Sequence, residues 1–170
     1  MTGMHISAQL GRKGTVEAEQ GGQCIPVAYG LFFTESLRSL KATASLVPSS
    51  RFLSSALLDP IDLRNARLVV ELGCGTGAVT CEILSRMGPG GQLLTLDTNE
   101  KFIRHLRQNC RDPRLLSAHA SAEELPSVLR TFRLRSANAI VSSLGLTQMD
   151  PELRLRIIRY AYVSLDPGAL

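Results

Sequence analysis

The sequence predicts an α/β fold in which helices cover a parallel β-sheet. Apolar runs of strand length alternate with segments of helical periodicity from about residue 68 onwards. No two of these runs are joined by a short hairpin-like turn, and a cluster of three glycines follows the first run. Because parallel strands need long crossover connections, the alternation favours a parallel sheet over an antiparallel one.

The elements follow one another in a regular order. The apolar runs predict strands at 68–72, 92–96, 115–118 and 137–142. Helices are predicted at 78–87, 99–110 and 150–164. The first helix should stop at the turn 88–91, which is three glycines and a proline. Asp150 and Pro151 form an N-cap and N1 pair that opens the last helix, whose inward stripe is Leu153, Ile157 and Ala161.

Length and composition describe one ordinary globular domain. The chain has 170 residues, 44% of them hydrophobic, and a formal net charge of +4. No apolar run reaches the ~20 residues of a membrane span. The four cysteines have neither a C-x-x-C pairing nor a histidine at ligand spacing, so we expect no metal site and reduced thiols.

The chain divides into three segments. Residues 1–28 are rich in glycine and small polar residues and are interpreted as a flexible leader. Residues 29–58 show an amphipathic helical pattern with Arg38, Lys41 and Arg51. This segment either caps a cleft or lies on a lipid surface. Residues 59–170 form the ligand-binding domain.

The stretch from Glu71 to Ala78 places a glycine turn between the first strand and the first helix, which is typical of a nucleotide cradle. The glycines also fit the dinucleotide fingerprint, and Asp97 lies about 20 residues later, where a ribose-binding acid belongs. A NAD-dependent oxidoreductase is therefore one interpretation. Glu71 argues against it, because a carboxylate there would repel a diphosphate and attract an ammonium group.

The pattern E-x-G-x-G-x-G resembles the first motif of class I S-adenosylmethionine-dependent methyltransferases. Further segments agree in order over about 46–170: Asp97 after the second strand, Ser121-Ala122-Glu123 after the third, and an L-x-P-G-like turn at 165–168. The resemblance implies a Rossmann-like sheet that usually has seven strands. We therefore expect this chain to be truncated after its fourth strand and the helix that follows it. Such a chain is either an enzyme or an inactive cofactor-binding remnant.

The resemblance also implies a set of binding residues for S-adenosylmethionine. The methionine end would be held by Glu71, Gly73, Cys74, Gly75 and Gly77, and the ribose by Asp97 with Thr98 beside it. The adenine would be held by Ser121, Ala122 and Glu123, where Ser121 replaces the usual aspartate. Ser142, Ser143 and Leu144 would border the cofactor and the methyl-transfer point, with Ser143 contacting the acceptor.

The acceptor is a separate question. The segments LVPSSRFLSSALL and IVSSLGL are similar to those of bacterial phospholipid N-methyltransferases, which implies a lipid head-group amine and a cytoplasmic protein peripheral to the inner membrane face. The related rRNA adenine dimethyltransferases carry N-[LI]-P-[FY] where this chain has residues 143–146, without an aromatic side chain to stack on a base. This difference weakens the hypothesis of an RNA substrate but does not exclude it. A small-molecule amine is a further alternative.

Overall fold

A computed structural model describes residues 57–168 of the chain. The predicted leader 1–28 and nearly all of the segment 29–58 lie outside the described residues. The strands are β1 (Leu68–Leu72), β2 (Gln92–Asp97), β3 (Leu115–His119) and β4 (Ala139–Ser142). The α-helices are α1 (Ala78–Arg86), α2 (Glu100–Asn109), α3 (Leu125–Thr131) and α4 (Pro151–Ser164), with short 3-10 helices at Ala122–Glu124 and Leu146–Gln148.

The four strands form one parallel sheet in the order β3-β2-β1-β4, which confirms the predicted fold class. Leu72 at the end of β1 lies opposite Leu96 of β2 and Ser142 of β4. The carboxyl ends of the strands are thus in register. In parallel sheets of this kind, the loops after the strands form the ligand-binding edge.

Alternate residues of the strands enter two separate cores. Val69 and Leu93 pack on one face with Ile83 of α1 and Ile103 of α2. Val70 and Leu94, on the other face, pack with α3 and α4, where Ile157 is buried. Because the strands are covered on both faces, they read as continuous apolar runs rather than as alternating ones. The sheet therefore lies between two helical layers.

β4 is the last strand at one side of the described sheet. On that side, the residues after α4 pair with the residues just before β4. The Ala137 N–H donates to the Ser164 carbonyl and the Asp166 N–H donates to the Ala137 carbonyl, both at 2.8 Å. Ala137 and Leu165 form a parallel bridge. Residues 165–168, which the sequence predicts as a turn, thus start beside the residues that precede β4.

Three local predictions were wrong. Helix α3 was not predicted; Pro126 lies in its first turn, where proline is tolerated. Strand β4 begins at Ala139 rather than 137. Cys74 and Cys110 are free thiols, but Cys81 is disulfide-bonded, contrary to the expectation of reduced cysteines. Among the described residues, no helix has the length and hydropathy of a transmembrane span.

Arg114 ties the loop between α2 and β3 to the end of α1. Its guanidinium donates to both carboxylate oxygens of the buried Asp112, at 2.9 and 2.6 Å, and to the carbonyls of Leu84 and Met87, both at 2.8 Å. Burial alone would raise the pKa of Asp112, but the hydrogen bonds from Arg114 hold it below its ordinary value. A cation thus binds the carbonyls at the negative end of the α1 dipole.

Helix α3 ends in a Schellman motif with an arginine at the left-handed position. The N–H of Leu134 donates to the Leu129 carbonyl at 2.9 Å, and that of Arg133 to the Arg130 carbonyl at 3.0 Å. Arg133 has φ 57°, a conformation in which a Cβ is unfavourable. The motif closes because Leu129 and Leu134 both pack into the same core.

We expect Arg133→Gly to raise the free energy of unfolding by about 0.5–1 kcal/mol, because glycine removes the left-handed strain of an exposed residue. Urea denaturation measures the change. Arg135→Gly is the matched control, since Arg135 is also exposed but does not have a positive φ. Equal effects of the two substitutions would show that the strain at Arg133 is negligible.

Candidate cofactor-binding site

The loop after β1 turns sharply on three glycines. Gly73, Gly75 and Gly77 have φ values of 87°, 48° and 84°, all in the left-handed region that disfavours a Cβ. The Gly73 N–H donates to the Leu96 carbonyl at 2.8 Å, which ties the loop to the end of β2. Gly77 is the N-cap of α1, so the first N–H groups of that helix point towards the loop.

The three glycines differ in what surrounds them. A Cβ at Gly73 would lie 2.8 Å from Cδ2 of Leu144, and one at Gly77 would lie 3.1 Å from Cδ1 of Leu106. A Cβ at Gly75 would meet no atom within 4 Å. A side chain at Gly73 or Gly77 would thus have to displace a leucine methyl group, whereas Gly75 borders open space in which a ligand could approach the backbone.

Glu71 lies beneath this loop and is completely buried. Its Oε2 accepts a hydrogen bond of 2.7 Å from the Thr80 hydroxyl of α1. Its Oε1 and the hydroxyl of Thr95, which lies opposite it on β2, have no hydrogen bond of standard geometry among the described residues. Burial raises the pKa of Glu71 from 4.5 to about 7, although the hydroxyls of Thr80 and Thr95 offset part of the rise.

Asp97 joins the glycine loop to the end of β2. Its Oδ2 accepts from the Gly75 N–H at 3.0 Å, and its Oδ1 accepts from the Asn99 N–H at 2.8 Å. Asn99 in turn caps α2 through its own side chain. The carboxylate is half-buried, and the neighbouring Thr98 is exposed. One side chain therefore fixes the glycine loop and the start of α2 at the same point.

Cys74 is buried inside the loop and is not a nucleophile. Burial is the main cause that raises the pKa of its thiol far above the ordinary value, and the nearby carboxylates of Asp97 and Glu71 raise it further. Its Sγ lies 3.7 Å from Oδ2 of Asp97. The neutral thiol thus contributes packing and a weak hydrogen bond to the loop.

The segment after β3 begins a 3-10 helix with a capping box. Ser121 accepts from the Glu123 N–H at 3.4 Å, and Glu124 accepts from the Ser121 N–H at 2.7 Å. Ala122 is the first residue of that helix, so its N–H has no partner within the helix. Glu123 forms an ion pair of 3.1 Å with Arg156 of α4. In this structure Ser121 caps the 3-10 helix and so fixes the conformation of the loop after β3.

The end of β4 brings three further residues to the same edge. The Ser143 N–H donates to the Leu72 carbonyl at 2.9 Å, and the Leu144 N–H contacts the Ser142 hydroxyl oxygen at 3.4 Å. Ser143 is exposed, whereas Ser142 and Leu144 are half-buried. Leu144 packs over Gly73, so this loop forms one wall beside the glycine turn.

All the residues selected from the sequence thus lie at or just after the carboxyl ends of β1 to β4, at one edge of the sheet. The sequence analysis missed Thr80 and Thr95, the hydroxyls beside the buried carboxylate. Thr80 could have been found, because it shares a helical face with the buried Ile83, Leu84 and Met87. Among residues 57–168, no three His, Cys, Asp or Glu side chains cluster as metal ligands.

Comparison with known proteins agrees with this geometry. Residues 69–168 match the family model of a methyltransferase domain. The ornithine lipid N-methyltransferase of Singulisphaera acidiphila is 31% identical over 139 residues, which is 81% of this chain and 72% of that protein. The carboxy-S-adenosyl-L-methionine synthase of Shewanella piezotolerans is 26% identical over 106 residues, 60% of this chain and 41% of the synthase.

Among solved structures, the N-methyltransferase NodS from Bradyrhizobium japonicum WM9 superimposes with a TM-score of 0.58 at 19% identity, over 72% of this chain and 65% of NodS. The chain thus spans less than two thirds of NodS and of the synthase. The fold likeness, the matched domain and the ornithine lipid relative all point to the same group of enzymes. The chain belongs to the class I S-adenosylmethionine-dependent methyltransferases.

Proposed function

We propose that this chain binds S-adenosylmethionine at the edge formed by β1 to β4 and transfers its methyl group to the amine of a phospholipid head group. The observation that supports this most is the buried Glu71 carboxylate, one of whose oxygens has no hydrogen-bond partner among the described residues. A buried negative charge beneath a glycine turn is compensated by a positive group, which the methionine ammonium supplies.

The other residues of the site suit the remaining parts of the cofactor. Asp97 has two oxygens with about four acceptor positions, of which two accept from N–H groups and a third from the Cys74 thiol, so acceptor capacity is left for a ribose hydroxyl. Gly75 borders open space and lets the cofactor approach the backbone. The Ala122 N–H and the Ser121 hydroxyl are the candidates for the adenine.

The chemistry needs little from the protein beyond orientation. When bound, the cofactor supplies a methyl group on a sulfonium that is already a strong electrophile. Ser143 is exposed at the end of β4, where its hydroxyl can accept a hydrogen bond from an amine and direct the nitrogen lone pair. Leu144 covers Gly73 and excludes water from one side of the site. Positioning therefore contributes more than acid–base catalysis.

The lipid amine is supported by the ornithine lipid relative and by the loop after β4. An RNA-modifying site would need an aromatic side chain to stack on an extruded base, and residues 143–146 contain none. A small amine would satisfy the same polar contacts. The acceptor assay described below separates these substrate classes.

Asp97→Ala is expected to weaken S-adenosylmethionine binding by about 1–3 kcal/mol, because the variant loses a charged acceptor for the ribose and the brace on Gly75. Titration calorimetry measures the change, with NAD as the competing ligand. Asp62→Ala, which removes an exposed carboxylate outside the site, is the matched control. Unchanged affinity in Asp97→Ala would remove the assignment of Asp97 to the ribose. Tighter binding of NAD than of S-adenosylmethionine to the unmodified chain would refute S-adenosylmethionine as the cofactor.

The pKa of Glu71 predicts opposite effects of pH on binding and on stability. Because its folded pKa of about 7 exceeds the ordinary 4.5, the protonated carboxyl stabilises the ligand-free fold below about pH 4.5, and this contribution is lost as the pH rises through 7. Glu71→Gln should therefore raise the free energy of unfolding at pH 8, by up to roughly 3 kcal/mol. Denaturant titrations at pH 5 and 8 measure the difference, which should shrink at the lower pH.

The same variant should bind S-adenosylmethionine more weakly at pH 8, because only the ionised carboxylate attracts the ammonium. In the unmodified chain, affinity should fall between pH 7.5 and pH 6 as Glu71 is protonated, and in Glu71→Gln this fall should be absent. Glu152→Gln, an exposed carboxyl on α4, is the control and should keep the dependence on pH. A pH profile identical in all three proteins would show that Glu71 does not interact with the cofactor.

A labelled-methyl assay identifies the acceptor. We expect label in vesicles that contain lipids with a primary amine, and none in vesicles whose head groups have been N-acetylated, because acetylation removes the nucleophilic lone pair. Ribosomal RNA and a pool of small amines serve as parallel acceptors, and Asp97→Ala as the inactive control. If RNA or small amines are labelled in preference to lipid, the lipid substrate is refuted, but the assignment of methyltransferase activity stands.

A further inference from the structure

Helix α4 has an apolar surface on the side that faces away from the sheet. Ile157 and Ser164 are buried against the core, whereas Leu155 is 65%, Ile158 49%, Tyr162 68% and Val163 63% exposed. At 100° per residue, Leu155, Ile158 and Tyr162 form one stripe, and Arg159 and Val163 lie beside it. We call these five residues the outer face of α4.

Positive charge accompanies this apolar surface. Arg159 lies within the outer face, and Arg154 borders it on the Ile158 side. Neither forms an ion pair among the described residues, whereas Arg156 is paired with Glu123. No acidic residue occurs between 153 and 164. The outer face therefore presents aliphatic side chains and one tyrosine, accompanied by two unpaired guanidinium groups.

We propose that the outer face of α4 is a docking surface for an anionic lipid bilayer. Helices that lie in a membrane interface combine an exposed apolar stripe with arginines, and tyrosine is enriched at that depth. The arginines would meet lipid phosphates while the aliphatic side chains enter the head-group region. The charge of the face is thus complementary to an anionic surface.

A second copy of the chain is a poorer occupant. The four apolar side chains leave a patch on the order of 400 Å², about half of the ~800 Å² that each partner buries in a standard interface. A two-fold pairing of the outer faces would also bring the arginines of one helix near those of the other. Docking to a bilayer does not require a contact area of that size, and the lipid phosphates would neutralise the arginines.

The position of α4 connects docking to the cofactor edge. The helix begins at Pro151, a few residues after Ser142, Ser143 and Leu144, so its first turn lies at the edge of the sheet where the cofactor is proposed to bind. A bilayer against the outer face would present its head groups beside that edge. This step rests on the proposed lipid substrate, but the docking itself can be measured without cofactor or methyl transfer.

A single introduced tryptophan reports the contact directly, because the chain contains none. Tyr162→Trp in the complete chain should show a blue-shifted emission with vesicles that contain phosphatidylglycerol, and brominated lipid should quench it. Gln108→Trp, exposed on α2 on the opposite face of the sheet, is the matched control and should show neither change. Vesicle binding by Tyr162→Trp without quenching of its indole would overturn the proposal, since another segment would then hold the membrane.

Charge and apolar surface are tested separately by vesicle sedimentation. Arg154→Glu with Arg159→Glu, and Leu155→Ser with Tyr162→Ser, should each lower the partition coefficient at least tenfold. Arg64→Glu with Arg111→Glu makes the same change of net charge at the other edge of the sheet and should lower it less than threefold. Equal losses in both charge variants would overturn the proposal, because attraction would then depend on net charge alone.

Two further measurements separate this proposal from the proposed function. The outer-face variants should still methylate detergent-dispersed lipid at the normal rate, and circular dichroism should show an unchanged fold. A chain that docks through α4 but methylates no lipid would refute the substrate and leave the docking surface standing. A dimer seen by sedimentation in the absence of lipid, and lost in Leu155→Ser with Tyr162→Ser, would assign the face to a second copy and overturn the proposal.

Discussion

The buried carboxylate of Glu71 is the constraint on which the site depends. It lies beneath the glycine turn with a single hydroxyl donor, and one of its oxygens has no partner among the described residues. Ionising such a group without compensation is unfavourable, which is why its pKa is raised to about 7. The apolar strands around it and the turn above it hold the charge close to where a positive ligand would bind.

Buried and half-buried hydrogen bonds stabilise the loops in and near the site. Arg114 satisfies a buried carboxylate and the end of α1 together, and Asp97 joins two loops through backbone N–H groups. The contacts of Asp97 fix the glycine loop above Glu71 before any ligand arrives. A preorganised loop loses less conformational entropy when a ligand binds, so more of the interaction energy is left for affinity.

The sheet and most of its helices could be predicted because periodicity and glycine turns are local signals. The same signals located the glycine turn and Asp97, since each follows directly from a strand. The hydrogen bonds of Asp97 to Gly75 and Asn99 could not be predicted, because they depend on how two loops meet in space. Helix α3 was missed because its seven residues are too few to show a clear helical period, and the left-handed Arg133 carries no sequence signal.

Topology also relates the cofactor edge to the outer face of α4. In a parallel sheet every crossover helix starts near the carboxyl ends of the strands, so α4 must begin close to the site and run away from it. Ile157 defines its buried side, and packing in the core does not restrict which side chains occur on the opposite side. Aliphatic residues on that side are unfavourable in water, and the proposed lipid docking would give them and the neighbouring arginines a favourable environment.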